Sequence, residues 1–218
     1  MPTIVRNNYN KLISSNLSQI LNNYKIKGFV LSNIGHLELL KDYKTNYEFI
    51  CNYTFNVYNN LSINELDVDT ITLSPELNKS DLQSMCSSVA KTELIVYGRT
   101  PLMNSNYCLL GKTNKCFSAC NKNCNSSNKY YLKDRLGFLF RIIPDNIETV
   151  TTIYNSKITS ITHNDIKVDC IRIDILDENI DEINKIVNFV KSGDKIEGSD
   201  YTNGNFNRDI WFLSNFVL

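Results

Sequence analysis

Four of the seven cysteines lie in one polar stretch, residues 104–130, with the spacing Cys108-x7-Cys116-x3-Cys120-x3-Cys124. Four thiolates complete the tetrahedral shell of zinc, or supply one ligand to each iron of a four-iron cluster. The stretch has no apolar periodicity, so coordination would have to supply the free energy that orders it. We therefore predict that these four cysteines bind one metal centre, either a [4Fe-4S] cluster or a zinc ion.

The thiols leave other interpretations open. Their spacing is looser than that of the Cys-x2-Cys pairs of zinc ribbons, so the sequence does not specifically predict zinc. The alternative to a metal centre is four reduced thiols at the surface. The first residues show no basic segment followed by an apolar run, which predicts a cytoplasmic protein in which disulfides are disfavoured. Cys51, Cys86 and Cys170 fall in predicted strands or a helix, where a cysteine serves as a small buried apolar residue.

The amino-acid composition limits the classes of partner that the chain is expected to bind. The chain has 218 residues, 42% of them hydrophobic, which fits one domain or two small ones. Lys and Arg number 23 and Asp and Glu also number 23, so the basic excess that binds a nucleic-acid backbone is missing. The longest apolar stretches fall well short of the roughly 20 residues that cross a bilayer. We expect neither a nucleic-acid nor a membrane partner.

The residue patterns alone predict no hydrolytic site. His36 begins a predicted helix and His163 lies in a polar turn, and neither is paired with a nucleophile by any motif. Both are therefore interpreted as structural or solvated. The chain also contains no His-Glu-x-x-His zinc-protease motif and no glycine-rich phosphate loop.

Short β-branched runs alternate with amphipathic segments, which is typical of a parallel sheet with crossover helices. We predict an α/β fold in which residues 26–192 form a mainly parallel sheet, curved as part of a barrel. The predicted strands are 26–31, 47–51, 70–73, 93–97, 137–143, 150–154 and 168–175. The predicted helices are a leading helix within 1–25, a short one at 35–41, one opening at the capping residue Ser80, and 179–191, whose apolar face contains Ile180, Ile183, Ile186, Val187 and Val190.

Several motifs together resemble the collagenase-like peptidase family U32. The most specific is Tyr97-Gly-Arg-Thr-Pro-Leu-Met103, followed by Cys108, the cysteine group and Leu132-Lys-Asp-Arg-Leu-Gly137. Further landmarks stand in the family's order over residues 26–208: Asn56-Val-Tyr-Asn59, Leu73-Ser-Pro-Glu76, Tyr154-Asn-Ser156, Arg172-Ile-Asp174 and Tyr201-Thr-Asn-Gly-Asn-Phe-Asn-Arg208.

The resemblance implies a single TIM-like β/α domain over residues 1–218, with ligands bound at the carboxyl ends of the strands. Its members are peptidases, while others hydroxylate ribosomal RNA or ubiquinone precursors, and some carry a four-iron cluster. Cys108 matches the family's strand-end cysteine, Cys116 and Cys120 its Cys-x3-Cys pair, and Cys124 stands in for a farther cysteine that is not matched. The substrate-binding positions implied are Asn56, Glu76, Tyr97, Arg99 and Arg135, with Glu76, Tyr97 and Arg99 facing one concave site.

The sequence also departs from the family pattern. Thr202-Asn-Gly-Asn-Phe206 lacks the Arg and His of the family's Thr-Arg-Gly-His-Phe. About ninety residues precede Tyr97, too few for the first half of a barrel at about thirty residues per βα unit. The barrel is therefore predicted to be partial or modified, completed by a partner chain, or part of a longer protein.

Two functions follow as hypotheses. The first is a U32-type peptidase acting on a peptide or protein, or a related cluster-dependent modification enzyme. In it, Glu76 would serve as a base and Arg99 as an anion clamp. The second is a non-catalytic, metal-stabilised scaffold that binds a partner chain. In that case Glu76 and Arg99 would be a structural ion pair.

Overall fold

The computed structural model describes residues 1–85, 90–111, 116, 120, 124 and 128–208. The chain divides into two compact units. Unit 1 contains Met1, Lys27–Gly98 and the chain from Thr159, and unit 2 contains Pro2–Ile26 and Arg99–Ile158. The single domain over residues 1–218 stays a prediction.

The helices of the described residues are α1 (Asn7–Asn23), α2 (Gly35–Leu40), α3 (Asn60–Glu65), α4 (Lys79–Ser84) and α5 (Ile180–Ser192). The strands are β1 (Gly28–Leu31), β2 (Glu48–Cys51), β3 (Thr70–Thr72), β4 (Lys91–Gly98), β5 (Pro101–Ser105), β6 (Tyr130–Lys133), β7 (Leu139–Asp145), β8 (Val150–Tyr154), β9 (Ile158–Ser160), β10 (Cys170–Ile173) and β11 (Tyr201–Thr202). In this part of the chain, no helix combines the length and apolar character needed to span a bilayer.

A parallel sheet forms the centre of unit 1. Strands β1, β2, β3 and β4 lie side by side in chain order, and β10 adds to β4, all of them parallel. The register aligns Leu31, Cys51, Ile71 and Thr92 in one buried row. Burial raises the pKa of the Cys51 thiol to about 12, so Cys51 is the small buried residue that the sequence predicts.

The parallel sheet predicted from the alternating pattern is thus confirmed for unit 1. Strand β9 adds to β4 in the antiparallel direction, through the pairs Tyr97 with Ser160 and Gly98 with Thr159, and β11 follows it. Among the residues described, the strand order shows no closed barrel. The barrel remains a prediction.

Unit 2 contains an antiparallel sheet in the order β5-β8-β7-β6. Residues 137–143 and 150–154 were predicted as strands of the parallel sheet, and this direction is wrong. Only residues 146–149 connect β7 to β8, and a parallel pair needs a crossover of a dozen or more residues. The hairpin pairs Ile142 with Ile153, and both side chains are buried.

Helix α1 is attached to the β7–β8 turn by Glu148. Its N-cap residue, Arg6, makes no side-chain capping bond. Instead, the buried Glu148 carboxylate accepts hydrogen bonds from the backbone N–H groups of Arg6 (3.1 Å) and Tyr9 (2.7 Å). The Tyr9 hydroxyl donates to Asp145 Oδ2 (2.7 Å). A carboxylate from a distant turn therefore stabilises the positive end of the helix.

Helices α1 and α5 confirm their predictions. One detail of the α5 prediction and the predicted cap of α4 are wrong. Asn179 and Glu182 form a capping box before α5, and Ile186 is buried, but Ile180 is exposed and lies outside the core face. Helix α4 is capped by Asn78, whose side chain accepts from the Asp81 N–H, and not by Ser80. Asn78 precedes the first helical residue, which is where a capping side chain reaches the free N–H groups.

Candidate functional site

Four polar side chains meet at the carboxyl ends of β2 and β3, and we call them the β2–β3 polar cluster: Asn56, Tyr58, Ser74 and Glu76. Ser74 Oγ donates to Asn56 Oδ1 (3.2 Å) and accepts from the Glu76 N–H (3.3 Å). The Tyr58 hydroxyl donates to Glu76 Oε2. The structure therefore brings together Asn56 and Glu76, two of the predicted substrate-binding residues, through Ser74 and Tyr58.

Local backbone geometry places Asn56 in this cluster. Residues Tyr53–Phe55 form a single 3-10 turn, and Asn56 follows with a φ of 55°. Asparagine tolerates this left-handed conformation better than most residues because its short polar side chain bonds locally. The turn directs Asn56 back towards the end of β3.

The cluster has a defined protonation pattern. Burial, followed by the hydrogen bond to Glu76, raises the pKa of Tyr58. The hydroxyl is therefore protonated near neutral pH, and it donates a hydrogen bond to Glu76. Glu76 itself is exposed. Its carboxylate can accept a hydrogen bond from an N–H or O–H group of a ligand.

A second group of side chains lies on three strands of unit 1 (β3, β4 and β10) and directly after β2 and β10, and we call it the arginine network. Arg172 on β10 donates from Nε to Asp174 Oδ1 (2.6 Å) and from Nη1 to Asn52 Oδ1 (2.9 Å). Its Nη1 also lies 3.6 Å from Glu93 Oε1 on β4. Thr72 Oγ1 on β3 donates to the same Glu93 oxygen (2.7 Å).

Sequence reasoning missed most of this network. Arg172 and Asp174 appeared only as a family landmark, and Asn52, Thr72 and Glu93 were not singled out. The available signal was a charged or polar residue inside, or directly after, an otherwise apolar strand. Side chains of the network are half-buried or buried, and a charge so placed requires partners. The network therefore holds Asp174 and Glu93 in fixed positions.

Tyr97, another predicted site residue, is buried at 2% exposure. Its hydroxyl donates to Glu178 Oε1 (3.0 Å), while Glu178 Oε2 accepts from the N–H groups of Leu176 (2.7 Å) and Asp177 (2.9 Å). Burial, and then the negative charge of Glu178, raise the pKa of Tyr97. Tyr97 thus connects the end of β4 to the segment before α5.

Gly98 explains the glycine of the Tyr97-Gly-Arg motif. Its φ is +143°, and a Cβ atom there would lie 2.7 Å from the Cβ atom of Asp174. Only glycine permits this approach. The close contact holds β4 against the chain that follows β10.

Arg99 and Arg135 belong to unit 2, whereas Asn56, Glu76 and Tyr97 belong to unit 1. The Arg99 guanidinium donates to the carbonyl oxygens of Asn155 (3.0 Å) and Ser156 (2.6 Å). Arg135 is exposed in the turn between β6 and β7. A common site for Glu76, Tyr97 and Arg99 stays a prediction.

The four cysteines of the predicted metal centre are half-buried and lie outside any disulfide. The Cys108 carbonyl accepts from the Gly111 N–H (3.0 Å), and the Gly111 carbonyl accepts from the Cys116 N–H (2.7 Å). Burial raises the pKa of the Cys124 thiol, and the thiols of Cys120, Cys108 and Cys116 raise it further. A Cβ atom at Gly111 would lie 3.7 Å from the Cys108 Cβ atom and 3.7 Å from the Cys116 carbonyl oxygen, so Cys108 and Cys116 lie around one turn.

This donor set fits zinc or a four-iron cluster in its chemistry, since all four groups are thiols. Within the described part of the chain, however, no group of three or more His, Cys, Asp or Glu side chains has an arrangement that would hold a metal ion. The metal centre at Cys108, Cys116, Cys120 and Cys124 stays a prediction. Cys86 lies outside the described residues.

Neither histidine is placed as a catalytic base. His36 is buried, and its Nδ1 accepts the backbone N–H of Ser32 (3.1 Å). Burial lowers the pKa of His36 to about 4, so the ring is neutral near pH 7. The Nδ1 atom of His163 is buried without a hydrogen-bond partner. These positions agree with the structural interpretation of both residues.

Comparison with known proteins gives one match. The family model described as Peptidase family U32 matches residues 3–184. No curated protein and no solved structure matches the chain.

Proposed function

Because this chain belongs to peptidase family U32, we propose that it is a metal-dependent enzyme that acts on a peptide or protein. In this proposal Cys108, Cys116, Cys120 and Cys124 hold the metal centre. The observation that carries the proposal is the turn at Gly111, whose backbone hydrogen bonds to Cys108 (3.0 Å) and Cys116 (2.7 Å) hold these two cysteines together. A cation that binds four thiolates would offset their mutual repulsion.

The metal centre would supply different chemistry according to its identity. A zinc ion held by all four thiolates would have no open position for water or substrate, so it would stabilise the fold, whereas a four-iron cluster would transfer electrons. Elemental analysis would therefore distinguish a structural zinc site from a redox-active cluster.

The β2–β3 polar cluster is the proposed substrate contact. The exposed Glu76 carboxylate accepts a peptide N–H group, and Tyr58 holds that carboxylate in position through its hydroxyl. If the reaction is hydrolysis, Glu76 is also the candidate general base, because neither histidine is available for that role. Arg99 and Arg135 remain proposed substrate contacts from unit 2.

A scaffold that binds a partner chain is the second candidate, and specific contacts favour it. The Tyr97 hydroxyl and the Arg99 guanidinium both bind groups of the chain itself. The segment Thr202–Phe206, which lacks the family's Arg and His, is also held internally, since the Phe206 carbonyl accepts from the Lys79 N–H (2.9 Å). In this candidate a partner chain completes the barrel.

The metal centre is tested on the full chain purified without oxygen. A broad visible absorption band with iron and sulfide identifies a cluster, and colourless protein with zinc identifies a zinc site. Cys116→Ser should lower the metal content and make residues 104–130 the first site of proteolysis. Cys51→Ser is the matched control and should change neither. Equal metal content in the two variants would contradict the proposal.

The enzymatic part is tested with gelatin and casein as substrates of the metal-loaded chain. Glu76→Gln should abolish cleavage without changing the metal content, while Glu65→Gln, at an exposed carboxylate on α3, should leave cleavage intact. Metal-loaded protein that cleaves neither substrate, yet retains a partner chain on purification, would favour the scaffold.

A further inference from the structure

The β6–β7 hairpin of unit 2 ends in a well-defined turn. Asp134 Oδ1 accepts hydrogen bonds from the N–H groups of Leu136 (2.9 Å) and Phe138 (2.8 Å). The Asp134 N–H donates to the Phe138 carbonyl (3.0 Å), and Gly137 adopts a φ of +91°. The turn is therefore fixed by its own backbone and by one carboxylate.

Large apolar side chains are exposed around this turn, which we call the hairpin tip (residues 131–139). Five of them have exposed fractions between 44% and 74%: Tyr131, Leu132, Leu136, Phe138 and Leu139. Such a concentration of exposed apolar side chains marks an interaction surface.

The apolar side chains occupy both faces of the hairpin. Tyr131 and Leu132 are consecutive residues of β6, so they point to opposite faces of the sheet. Leu136 and Phe138 lie in the turn itself. A rigid protein surface would cover one face and leave the other in water, whereas the fluid edge of a lipid bilayer surrounds an inserted tip on all sides.

The charges of the hairpin tip favour an anionic surface. Lys133 and Arg135 are exposed, and the one carboxylate, Asp134, is bonded to the turn backbone. Basic side chains beside inserted apolar ones reach the lipid headgroups and are attracted to anionic lipids. Three of the five apolar side chains are leucines, which have no aromatic face on which a base stacks, and this composition favours lipid over single-stranded nucleic acid.

We propose that the hairpin tip inserts into the surface of an anionic lipid bilayer. This inference goes beyond the proposed function and does not depend on the metal centre. The sequence predicted no membrane partner, but that expectation rested on the lack of apolar segments long enough to span a bilayer. An interfacial contact needs only a tip whose apolar side chains enter to a depth of about 5–10 Å.

Co-sedimentation of the full chain with vesicles tests the proposal. The chain should bind phosphatidylcholine vesicles that contain phosphatidylglycerol more strongly than pure phosphatidylcholine vesicles, and less strongly at about 0.5 M salt, where charges are screened. Leu136→Asp should weaken binding at least about tenfold, equivalent to about 1.4 kcal/mol. Leu61→Asp is the matched control, since Leu61 is 77% exposed on α3 of unit 1, and it should bind like the parent.

A fluorescence measurement reports insertion directly. The chain contains a single tryptophan, Trp211, so the double variant Trp211→Phe, Leu136→Trp places the only indole at the hairpin tip. Its emission should shift to shorter wavelength with phosphatidylglycerol vesicles and stay unchanged in the same variant with added Lys133→Gln and Arg135→Gln. An unshifted emission, equal weakening by Leu61→Asp, or displacement of the vesicles by polyuridylate would overturn the proposal.

Discussion

Acid should destabilise unit 1 through His36. The side chain is 2% exposed, and its Nδ1 accepts the Ser32 N–H at 3.1 Å. Protonation would place a charge in the interior and remove the acceptor for that N–H group. For this reason burial lowers the pKa of His36 to about 4, whereas an unfolded histidine has a pKa of about 6.5.

The sign and size follow from this difference in pKa. Between about pH 6.5 and pH 4 the unfolded chain binds a proton at His36 that the folded chain does not bind. The contribution to stability is therefore fully present above about pH 6.5 and is lost as the pH falls. Between about pH 7 and pH 5 the loss is about 2 kcal/mol for a folded pKa near 4.

Urea unfolding at the two pH values measures this loss. His36→Gln removes the titrating ring, and its free energy of unfolding should fall by about 2 kcal/mol less than that of the parent over this range. His163→Gln removes the other imidazole and keeps His36, so it should lose stability with acid as the parent does. If the parent and His36→Gln show the same pH dependence, the assignment to His36 is wrong.

Three further outcomes concern stability. Glu148→Ala removes the hydrogen-bond acceptor at the start of α1 and should lower the free energy of unfolding by about 1–2 kcal/mol. Hydrogen exchange of the α1 amides should become faster, and unchanged exchange there would refute the capping role. Arg172→Met leaves Glu93 half-buried without its cation and should cost about 2 kcal/mol by urea unfolding, while Lys41→Met, in the exposed pair with Glu38, should change nothing measurable. Tyr97→Phe should cost about 1–2 kcal/mol for the lost bond to Glu178, and a variant as stable as the parent would contradict that bond's importance.

The sequence by itself determined the local elements with a strong periodic or capping signal. The apolar spacing of residues 180–190 predicts α5, and the structure places it at Ile180–Ser192. Short β-branched runs separated by helical segments predict the parallel strands of unit 1. Such signals are local, because each residue's preference depends on neighbours within a few positions.

The family could also be identified from the sequence, because short motifs in a fixed order can be recognised without a three-dimensional structure. The match over residues 3–184 confirms it. The motifs also pointed to Asn56 and Glu76. They did not point to Tyr58, whose role depends on a hydroxyl bond to a residue eighteen positions later.

Only the tertiary structure decided how strands pair and which polar groups meet. The runs that became β7 and β8 have the same apolar character as those in the parallel sheet, and their short connection, which the sequence already contains, excludes a parallel pair; their pairing with β5 and β6 is visible only in the structure. The arginine network joins Asn52, Glu93 and Arg172, which are far apart in the chain. Such contacts depend on strand register, which long-range packing fixes and local sequence preference does not encode.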